Sequence, residues 1–341
     1  MTYLTGKIAL DITAGAPNNG RGENNVGEVK KLRTGRDVHP YVSAQAFRRW
    51  VRDSLPAGEA RSPVVREGQG KKQQAYTSGR PDLYLDDDLF GYMVAVKGEN
   101  FQRDTVLATG TLVSVAPRRP AQDFGTMSRD FPAGEHPVIH EHELYSAELG
   151  GDILLDLPRA GTFELAGGGL RRALRADAAA EAVSNGAAEI MFRDVKSVRL
   201  PLQERRRRVA VLLRTLAEVR GGAKRALHYG DRSPAFILLA PLKGGNNPFT
   251  RVLGVHNDKV RFNGQAFAEE LDAWSGEHEG PVIIGWAPGF LGNQREDWQT
   301  MLAGEIKSGR VVIGHPRTVL RSLANDIESG SRDAWFQDPD A

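Results

Sequence analysis

Apolar side chains recur along the chain with two periods, one typical of strands and one typical of helices. Residues 3–13 (Y-L-T-G-K-I-A-L-D-I-T) alternate apolar and polar positions over most of their length, which predicts a strand with one buried face. Phe47, Val51 and Leu55 follow at intervals of four, so they would share one face of a helix that Ser43 caps at its N-terminus. The chain is therefore predicted to open with a strand and then an amphipathic helix that ends near residue 54.

The same periods predict the order of the main elements farther along. A second strand is expected over residues 106–116, and a third strand, or a bent pair with a turn at glycines 150–151, over residues 143–157. Residues 203–219 predict a second helix, and residues 225–242 predict a final pair of strand-like segments. The order strand, helix, strand, strand, helix, strand is the split βαβ arrangement of ferredoxin-like folds, which is also the framework of RNA-recognition domains. The predicted fold class is therefore α+β with a ferredoxin-like palm.

Three long excursions interrupt this order. Residues 14–40 form a polar stretch of 27 residues, and a loop of that length in a compact protein is usually functional or disordered. Residues 56–103 are irregular and indicate an insertion that is helical in part. Residues 117–141 are punctuated by proline and glycine, which prevent a long helix or a central strand, so this segment is expected to protrude. It carries arginines and three large apolar residues, which either meet a nucleic acid or pin the loop to its own palm: Phe124, Met127 and Phe131.

Composition narrows the class of protein. The chain has 341 residues, 40% hydrophobic and 26% charged, which is typical of a globular protein with two domains or one domain with large insertions. It has no cysteine, which excludes thiolate zinc sites and cysteine nucleophiles and is consistent with a reducing cytoplasm. The first residues lack the layout of a signal peptide, and no apolar run approaches the roughly 18 residues of a membrane span. A cytoplasmic protein is the expectation.

The net charge is only +2, so partners must be inferred from where the charge lies. Residues 199–225 carry nine basic and two acidic side chains, and residues 1–72 carry thirteen basic and seven acidic ones. Residues 326–341 are acidic instead. Arginine suits phosphate contacts, although a GC-rich genome would also favour it.

Common enzyme motifs are absent from the sequence. Residues 221–224 (G-G-A-K) have the residue types of a phosphate-binding loop at the wrong spacing, and there is no G-x-S-x-G or H-E-x-x-H. His140 and His142 would share a strand face beside His136, which is possible geometry for zinc or manganese, but a solvated loop is favoured. The acidic run 86–88 could hold magnesium, yet a surface turn or a contact with a neighbour's basic face is favoured. The chain is expected to hold no metal or other cofactor and to have no catalytic residues.

Two basic segments favour phosphate binding. The first is a loop with Lys30 and Lys31 that leads into a helix whose N-terminal half carries Ser43, Gln45 and two arginines; helix N-termini attract phosphate. A solvated helix beside a mobile loop is the alternative. The second is the helix that begins with arginines 205–208, of which at least one should meet the core or a partner. It is followed by Gly221 and Gly222, a predicted C-cap where a ligand backbone can approach closely.

Five short motifs together resemble the DevR family of CRISPR-associated proteins, of the RAMP superfamily, which form the backbone subunit of type I-B Cascade complexes. These motifs are Asn24-Asn25-x-Gly27 followed by Lys30-Lys31, Tyr41-Val42-Ser43-x-Gln45-x-x-Arg48-Arg49, Asp88-Leu89-Phe90-Gly91-Tyr92, Gly221-Gly222-Ala223-Lys224-x-x-x-His228-Tyr229 and Gly245-Asn246-Asn247-Pro248-Phe249. They extend from the first strand to about residue 250. Beyond residue 257 the match is poor.

The resemblance implies an RNA-binding scaffold without enzymatic activity. Its palm would comprise residues 1–55, 106–116 and 143–250, with fingers at 56–105, a thumb hairpin at 117–142 and a C-terminal extension of uncertain assignment at 251–341. Copies would assemble head to tail along one CRISPR RNA, and that RNA would pair with target DNA. The copies would also contact other Cascade subunits. The acidic tail and the run 86–88 would touch the next copy. The residues expected at the RNA are Asn25, Lys30, Lys31, Ser43, Gln45, Arg48, Arg49, Met127, Arg129, Gly221, Gly222, Lys224, Arg225, Asn246 and Asn247.

Two alternatives from other classes remain at this point. One is a metal-dependent RNA nuclease that uses the three histidines 136, 140 and 142. The other is a stand-alone RNA-binding regulator.

Overall fold

The computed structural model describes the chain apart from residues 21, 23–25, 69–72, 97–98, 128, 131, 133–137, 166–171 and 339–341. Its strands are β1 Thr2–Gly15, β2 Val26–Gly27, β3 Lys31–Thr34, β4 Asp37–Val42, β5 Val64–Glu67, β6 Gln74–Thr77, β7 Tyr92–Val96, β8 Glu99–Arg103, β9 Leu107–Thr109, β10 Leu112–Ser114, β11 Ala121–Met127, β12 Val138–Asp156, β13 Thr162–Glu164, β14 Ala188–Phe192, β15 Val195–Arg199, β16 Phe236–Lys243, β17 Leu253–His256, β18 Lys259–Phe262, β19 Val282–Trp286 and β20 Val311–Gly314. Its helices are α1 Ala44–Asp53, α2 Leu85–Phe90, α3 Ala176–Ser184, α4 Leu202–Leu216, α5 Gly264–Ala273, α6 Gln294–Met301, α7 Ala303–Lys307 and α8 Pro316–Glu328.

The predicted α+β class is confirmed by one large, mostly antiparallel sheet with helices packed on it. Its strand order is β20-β19-β16-β1-β12-β10-β4-β3, and β2, β9 and β11 also pair with β12. The four strands that follow the predicted order lie side by side as β16, β1, β12 and then β9 with β10, each antiparallel to its neighbour. The predicted second strand is therefore two short strands that share one partner.

The long strand β12 confirms the first of the two alternatives for residues 143–157, a single strand, and excludes the bent pair. Gly150 lies opposite Ala9 and Gly151 opposite Ile8, in uninterrupted register with β1, so no turn forms there. A Cβ on Gly151 would lie 2.5 Å from Cδ2 of Leu112, and one on Gly150 would lie 3.0 Å from Cγ2 of Val115. These glycines make room for the side chains of the adjacent β10 segment, because a larger residue would collide with them.

The sheet buries both of its faces. On one face, Leu4, Ile8 and Leu10 of β1 pack in a core with α1, α4 and α8, and they are fully buried. On the other face, Ala9 and the neighbouring positions of β16 and β19 pack with Phe249, Phe267 and Trp286. Residues beyond 250 thus contribute two strands to the sheet and a helix to the first core.

Helix α1 follows the prediction closely. The Ser43 Oγ accepts a hydrogen bond from the backbone N–H of Ala46, so Ser43 is the N-cap that the sequence predicted. Phe47 and Val51 are fully buried on one face. Burial of each such side chain contributes about 1.5–3 kcal/mol to stability, so this face fixes the helix on the sheet.

The acidic run 86–88 does not lie at the surface, so that prediction was wrong. Asp86, Asp87 and Asp88 form the start of α2 and are buried. Asp88 accepts hydrogen bonds from Arg103 and Arg208, both buried with it. Charged side chains enter a core only when they are paired, and here one partner is 15 residues away and the other 120 residues away along the chain.

The acidic tail also finds partners within its own chain. Asp333 pairs with Arg206, and Asp326 pairs with Arg332 at 3.2 Å. For the acidic run this corrects the expectation of a contact with a neighbouring copy, because its carboxylates are buried; for the tail, whose ion pairs are partly exposed, that contact stays a prediction.

The three excursions contain more regular structure than predicted. Residues 14–40 include the β3–β4 hairpin, and residues 56–103 include the β5–β6 and β7–β8 hairpins as well as α2. Residues 117–142 contain β11, which pairs with the first part of β12 as a hairpin from Ala121↔Leu144 to Met127↔Val138. A separate small sheet of β13, β15 and β14 packs with α3. In the part of the chain that is described, no helix is long and apolar enough to cross a membrane.

Candidate nucleic-acid interface

Several segments that are distant in sequence meet at the Gly15 end of β1. We call this group the loop cluster; it comprises residues 14–20, 27–30 and 220–233 with Trp50 of α1 and His142 of β12. The N–H of Ala223 donates to the carbonyl of Pro17 at 2.9 Å, and Ser54 Oγ bridges the N–H and the carbonyl of Arg220 at 2.8 Å. The glycine-rich loop is therefore fastened to the end of β1 and to the C-terminal end of α1.

Gly221 and Gly222 do not cap α4, which corrects the predicted C-cap. The helix ends at Leu216 with Ala217 as its C-cap, four residues earlier. A Cβ on Gly221 would lie 2.6 Å from Cγ of Trp50, and Gly222 has a φ of +92° with Trp50 and Pro17 close by. The close approach that the glycines permit is to the Trp50 ring of the same chain.

Basic side chains surround this loop. The Lys224 side chain lies against Gly27, where a Cβ would be 2.7 Å from its Nζ. Burial lowers the pKa of Lys224, as expected for a cation with reduced access to water. Arg220 and Arg225 are exposed and form no ion pair within the described ranges. The loop thus presents cations that its own chain does not neutralise.

Two histidines lie beside Lys224. The rings of His142 and His228 are 5.1 Å apart, and His142 Nε2 lies 3.3 Å from a carboxylate oxygen of Asp123 on the paired strand β11. Burial, and then the charges of His142 and Lys224, lower the pKa of His228, so its ring is neutral at pH 7. His140 is exposed, and His136 lies outside the described residues. Among the residues with a described position, no three histidine, aspartate or glutamate side chains group to bind a metal.

The two lysines of the predicted RNA-facing loop differ. Lys31 forms ion pairs with Glu143 at 2.5 Å and with Glu28 at 3.6 Å, and its side chain is largely buried. Lys30 is half-buried and forms no ion pair in the portion of the chain described. Of the two lysines, Lys30 is therefore the one whose ammonium group is free to pair with a ligand. Asn25 lies outside the described residues.

The predicted binding residues of helix α1 differ in how strongly they are already bound within the chain. Gln45 is exposed, while Ser43 is engaged as the N-cap. Arg48 Nη1 donates to Thr109 at 3.3 Å, and Arg49 pairs with Asp53 one turn later at 2.7 Å. An exposed pair of this kind contributes only about 0.3–0.5 kcal/mol, so Arg49 can exchange Asp53 for a phosphate.

The remaining predicted residues lie elsewhere. Asn247 caps a short 3-10 helix, and its Nδ2 donates to the carbonyl of Gly6 at 2.7 Å. Gly6 is nine residues from Gly15 along β1, or about 30 Å, so Asn246 and Asn247 are not near the loop cluster. Met127 and Arg129 lie at the far end of the β11–β12 hairpin, where Arg129 is exposed. Phe124 on the same hairpin is 61% exposed, and Phe131 lies outside the described residues.

A cavity of about 230 Å³ opens beside the glycine-rich loop. Four arginines line it, together with Tyr229, Glu218 and Asp231: Arg220, Arg225, Arg232 and Arg317. Sequence reasoning did not single out Arg232 and Arg317. Arg317 begins α8, almost a hundred residues after the loop, so only the fold reveals that it faces Arg225.

No protein-family model matches the chain, and no curated protein matches it. Chains of solved structures are similar to it over nearly its whole length, and two examples follow. A chain of a "CRISPR RNA-guided surveillance complex" superposes with a TM-score of 0.53 at 13% identity, covering 95% of this chain and 98% of that one. A chain of a "CRISPR RNA-guided surveillance complex, pre-nicking" gives a TM-score of 0.55 at 11% identity, covering 95% and 100%. The chain shares its fold with chains of these complexes.

Proposed function

We propose that this protein is the backbone subunit of a Cascade-type, RNA-guided CRISPR effector of the DevR family and type I-B. Its copies polymerise head to tail along the CRISPR RNA in the cytoplasm, hold the RNA by its phosphates and present it for pairing with target DNA. In this role the protein performs no chemistry of its own, because base pairing reads the sequence and the scaffold holds the guide by its backbone.

The observation that carries the proposal is the end-to-end structural similarity to chains of CRISPR RNA-guided surveillance complexes, at 98–100% coverage of those chains. The strand order β16, β1, β12, β9/β10, with α1 and α4 as the connecting helices, supports a ferredoxin-like palm. The loop cluster supports RNA contact, since its exposed Arg220 and Arg225 form no ion pair within the described residues.

Purification without nuclease treatment tests the assembly. We expect the protein to elute as a large particle with RNA, and sequencing of that RNA to return CRISPR repeat and spacer sequence. A small, RNA-free species, or RNA without repeats, would contradict the backbone role and favour a stand-alone regulator.

Phosphate contact is tested by the salt dependence of RNA binding. Lys30→Ala and Arg225→Ala should each weaken binding to any single-stranded RNA sequence equally and lower the salt slope by roughly 0.7. Lys196→Ala removes an exposed lysine of the small sheet and should change nothing. A loss that depends on the RNA sequence would identify these residues as readers of bases.

The absence of enzymatic activity is tested by incubating labelled RNA with the protein and magnesium, manganese or zinc. We expect intact RNA in every case. Cleavage that disappears in His140→Ala or His142→Ala would establish the metal-dependent nuclease instead.

A further inference from the structure

Arg232 is a buried cation that forms no ion pair with any residue in the described part of the chain. Its side chain is 2% exposed, and Nη1 donates only to the carbonyl of Asp231, the preceding residue, at 3.0 Å. Nε and Nη2 have no hydrogen-bond partner among the described residues. The Asp231 carboxylate instead accepts from the N–H and the hydroxyl of Ser233 at 2.9 Å and 2.6 Å.

Two glycines form the space that holds this guanidinium. A Cβ on Gly230 would lie 2.8 Å from Nη1, and one on Gly15 would lie 3.1 Å from Nη2. The Tyr145 hydroxyl nearby is also buried and has no hydrogen-bond partner in the ranges that the structure describes. A buried charge with unpaired donors is costly, because desolvation is not offset by hydrogen bonds. The chain therefore holds donors in place for an anion that it does not supply itself.

Arg232 lies between two cavities on either side of residues 229–233. The smaller cavity, of about 230 Å³, is the one lined by four arginines, and the larger, of about 900 Å³, reaches His315 at the start of α8. Of the two acids that line the smaller cavity, Glu218 pairs with Arg317 at 3.0 Å and also with Arg321, whereas the Asp231 carboxylate accepts hydrogen bonds from neutral Ser233 and keeps its charge beside Arg232. Four arginines against two carboxylates leave the net charge of this lining positive.

An unpacked aromatic ring stands at the rim of the smaller cavity. Tyr229 is 84% exposed, and it follows exposed Leu227 on the same loop. Aromatic rings on a positively charged groove are the stacking platforms of proteins that bind single-stranded nucleic acids.

We propose that the smaller cavity binds a phosphodiester group of a single-stranded nucleic acid, with Arg232 as the buried anchor, Arg220 and Arg225 as its outer ligands, and Tyr229 stacked on the adjoining base. Nε and Nη2 are covered in the free chain, so the anion reaches them through a displacement of residues 229–233. This inference rests on the proposed RNA-binding function, because it assigns a pocket within the same loop cluster.

The test measures binding of a short RNA and a DNA of the same sequence to the RNA-free chain by fluorescence anisotropy. Arg232→Met should weaken binding roughly 10- to 100-fold, as for a charge-assisted hydrogen bond, and lower the salt slope by roughly 0.7. Tyr229→Ala should weaken binding roughly 5- to 100-fold and leave the salt slope unchanged. Arg251→Met, an exposed arginine near the opposite end of β1, is the matched control and should bind like the wild type.

The possible outcomes distinguish failure of the proposed RNA-binding function from failure of the proposed pocket. Wild-type chain that binds neither strand overturns both the RNA-binding function and this pocket. Normal binding by Arg232→Met and Tyr229→Ala overturns the pocket and leaves the function intact. Inorganic phosphate that raises the melting temperature, with no loss of oligonucleotide binding in either variant, identifies a free-phosphate site and overturns the proposal.

A second measurement covers the case in which Arg232→Met does not fold. Ultraviolet crosslinking of the wild-type chain to RNA should place the crosslink on the peptide that contains Tyr229. Crosslinks found only on other peptides contradict the proposal. If the variants lose more affinity for RNA than for DNA, the bound strand is the guide RNA. If they lose affinity for both equally, the pocket binds any single strand. Both results support the proposal.

Discussion

Arg208 and Arg232 have the same exposed fraction, 2%, but their surroundings are opposite. Arg208 donates to an Asp88 carboxylate oxygen at 2.8 Å, to the carbonyls of Pro81 and Asp82, and to Glu204. Arg232 has one backbone carbonyl for its whole guanidinium. Since burial of an arginine is favourable only when its donors are satisfied, the first side chain is part of the folded core and the second awaits a ligand.

The chain therefore contains two kinds of arginine, those that hold the fold together and those that are available to a ligand. The four arginines at 205–208 are all engaged within the chain: Arg205 donates to carbonyls of residues 158, 160 and 336, and Arg206 and Arg207 pair with acids. The sequence predicts that at least one arginine of this run meets the core or a partner, and the buried Arg205 and Arg208 confirm it. The arginines of the smaller cavity, which are scattered in sequence, are the better candidates for a ligand.

The largest expected effect is at Asp88. Asp88→Asn keeps the shape of the side chain but removes the negative charge between Arg103 and Arg208, so two buried cations lose the carboxylate that they share. We expect a loss of about 3–5 kcal/mol in the free energy of unfolding, measured by chemical denaturation. Asp258→Asn, in the exposed β17–β18 turn, is the control and should be close to neutral. A change below 1 kcal/mol at Asp88 would contradict the structural role of this network.

The next effect is at the fastening of the glycine-rich loop. Gly221→Ala places a Cβ 2.6 Å from Cγ of Trp50, so the loop or the ring must move. We expect a cost of about 1–3 kcal/mol with a shift in tryptophan fluorescence, and weaker RNA binding. Gly254→Ala, where nothing lies within 4 Å of the added Cβ, should alter none of these. Unchanged fluorescence in Gly221→Ala would show that the loop does not rest on Trp50.

A structural feature can be predicted from the sequence when the residues that determine it lie close together along the chain. Helix α1, its Ser43 cap and strand β1 follow from periodicity and capping within about a dozen residues, and they were confirmed. The burial of Asp88 depends on Arg208, which is 120 residues away, and no local pattern reveals that pair. For the same reason the sequence indicated a basic region but not the cavity, because Arg232 and Arg317 meet only in the fold.

A smaller effect of opposite sign is expected at Arg232 itself. Replacing an unpaired buried cation with an apolar side chain of similar length removes a desolvation cost, so Arg232→Met should melt at the same temperature as the wild type or higher. Arg208→Met should melt well below it, because Asp88 and two backbone carbonyls lose their donor. The two melting curves test the contrast between Arg208 and Arg232 directly. If both variants lose stability equally, Arg232 is a structural arginine and not a ligand-binding one.

The smallest effect concerns the pH dependence of the loop cluster. The groups that face His228 are His142, Lys224 and Arg232, which disfavour its protonation, and Asp123, which favours it. Burial acts first and also lowers the pKa of His228 in the folded chain below its usual value of 6.5. As the pH falls through that value, the unfolded chain takes up a proton that the folded chain refuses, so the free energy of unfolding decreases. Melting curves between pH 7.5 and pH 5 should therefore fall more steeply for the wild type than for His228→Gln. The control His256→Gln, at the exposed end of β17, should follow the wild type. Bound RNA should reduce the difference, since a phosphate beside Lys224 offsets the positive charge that holds His228 neutral.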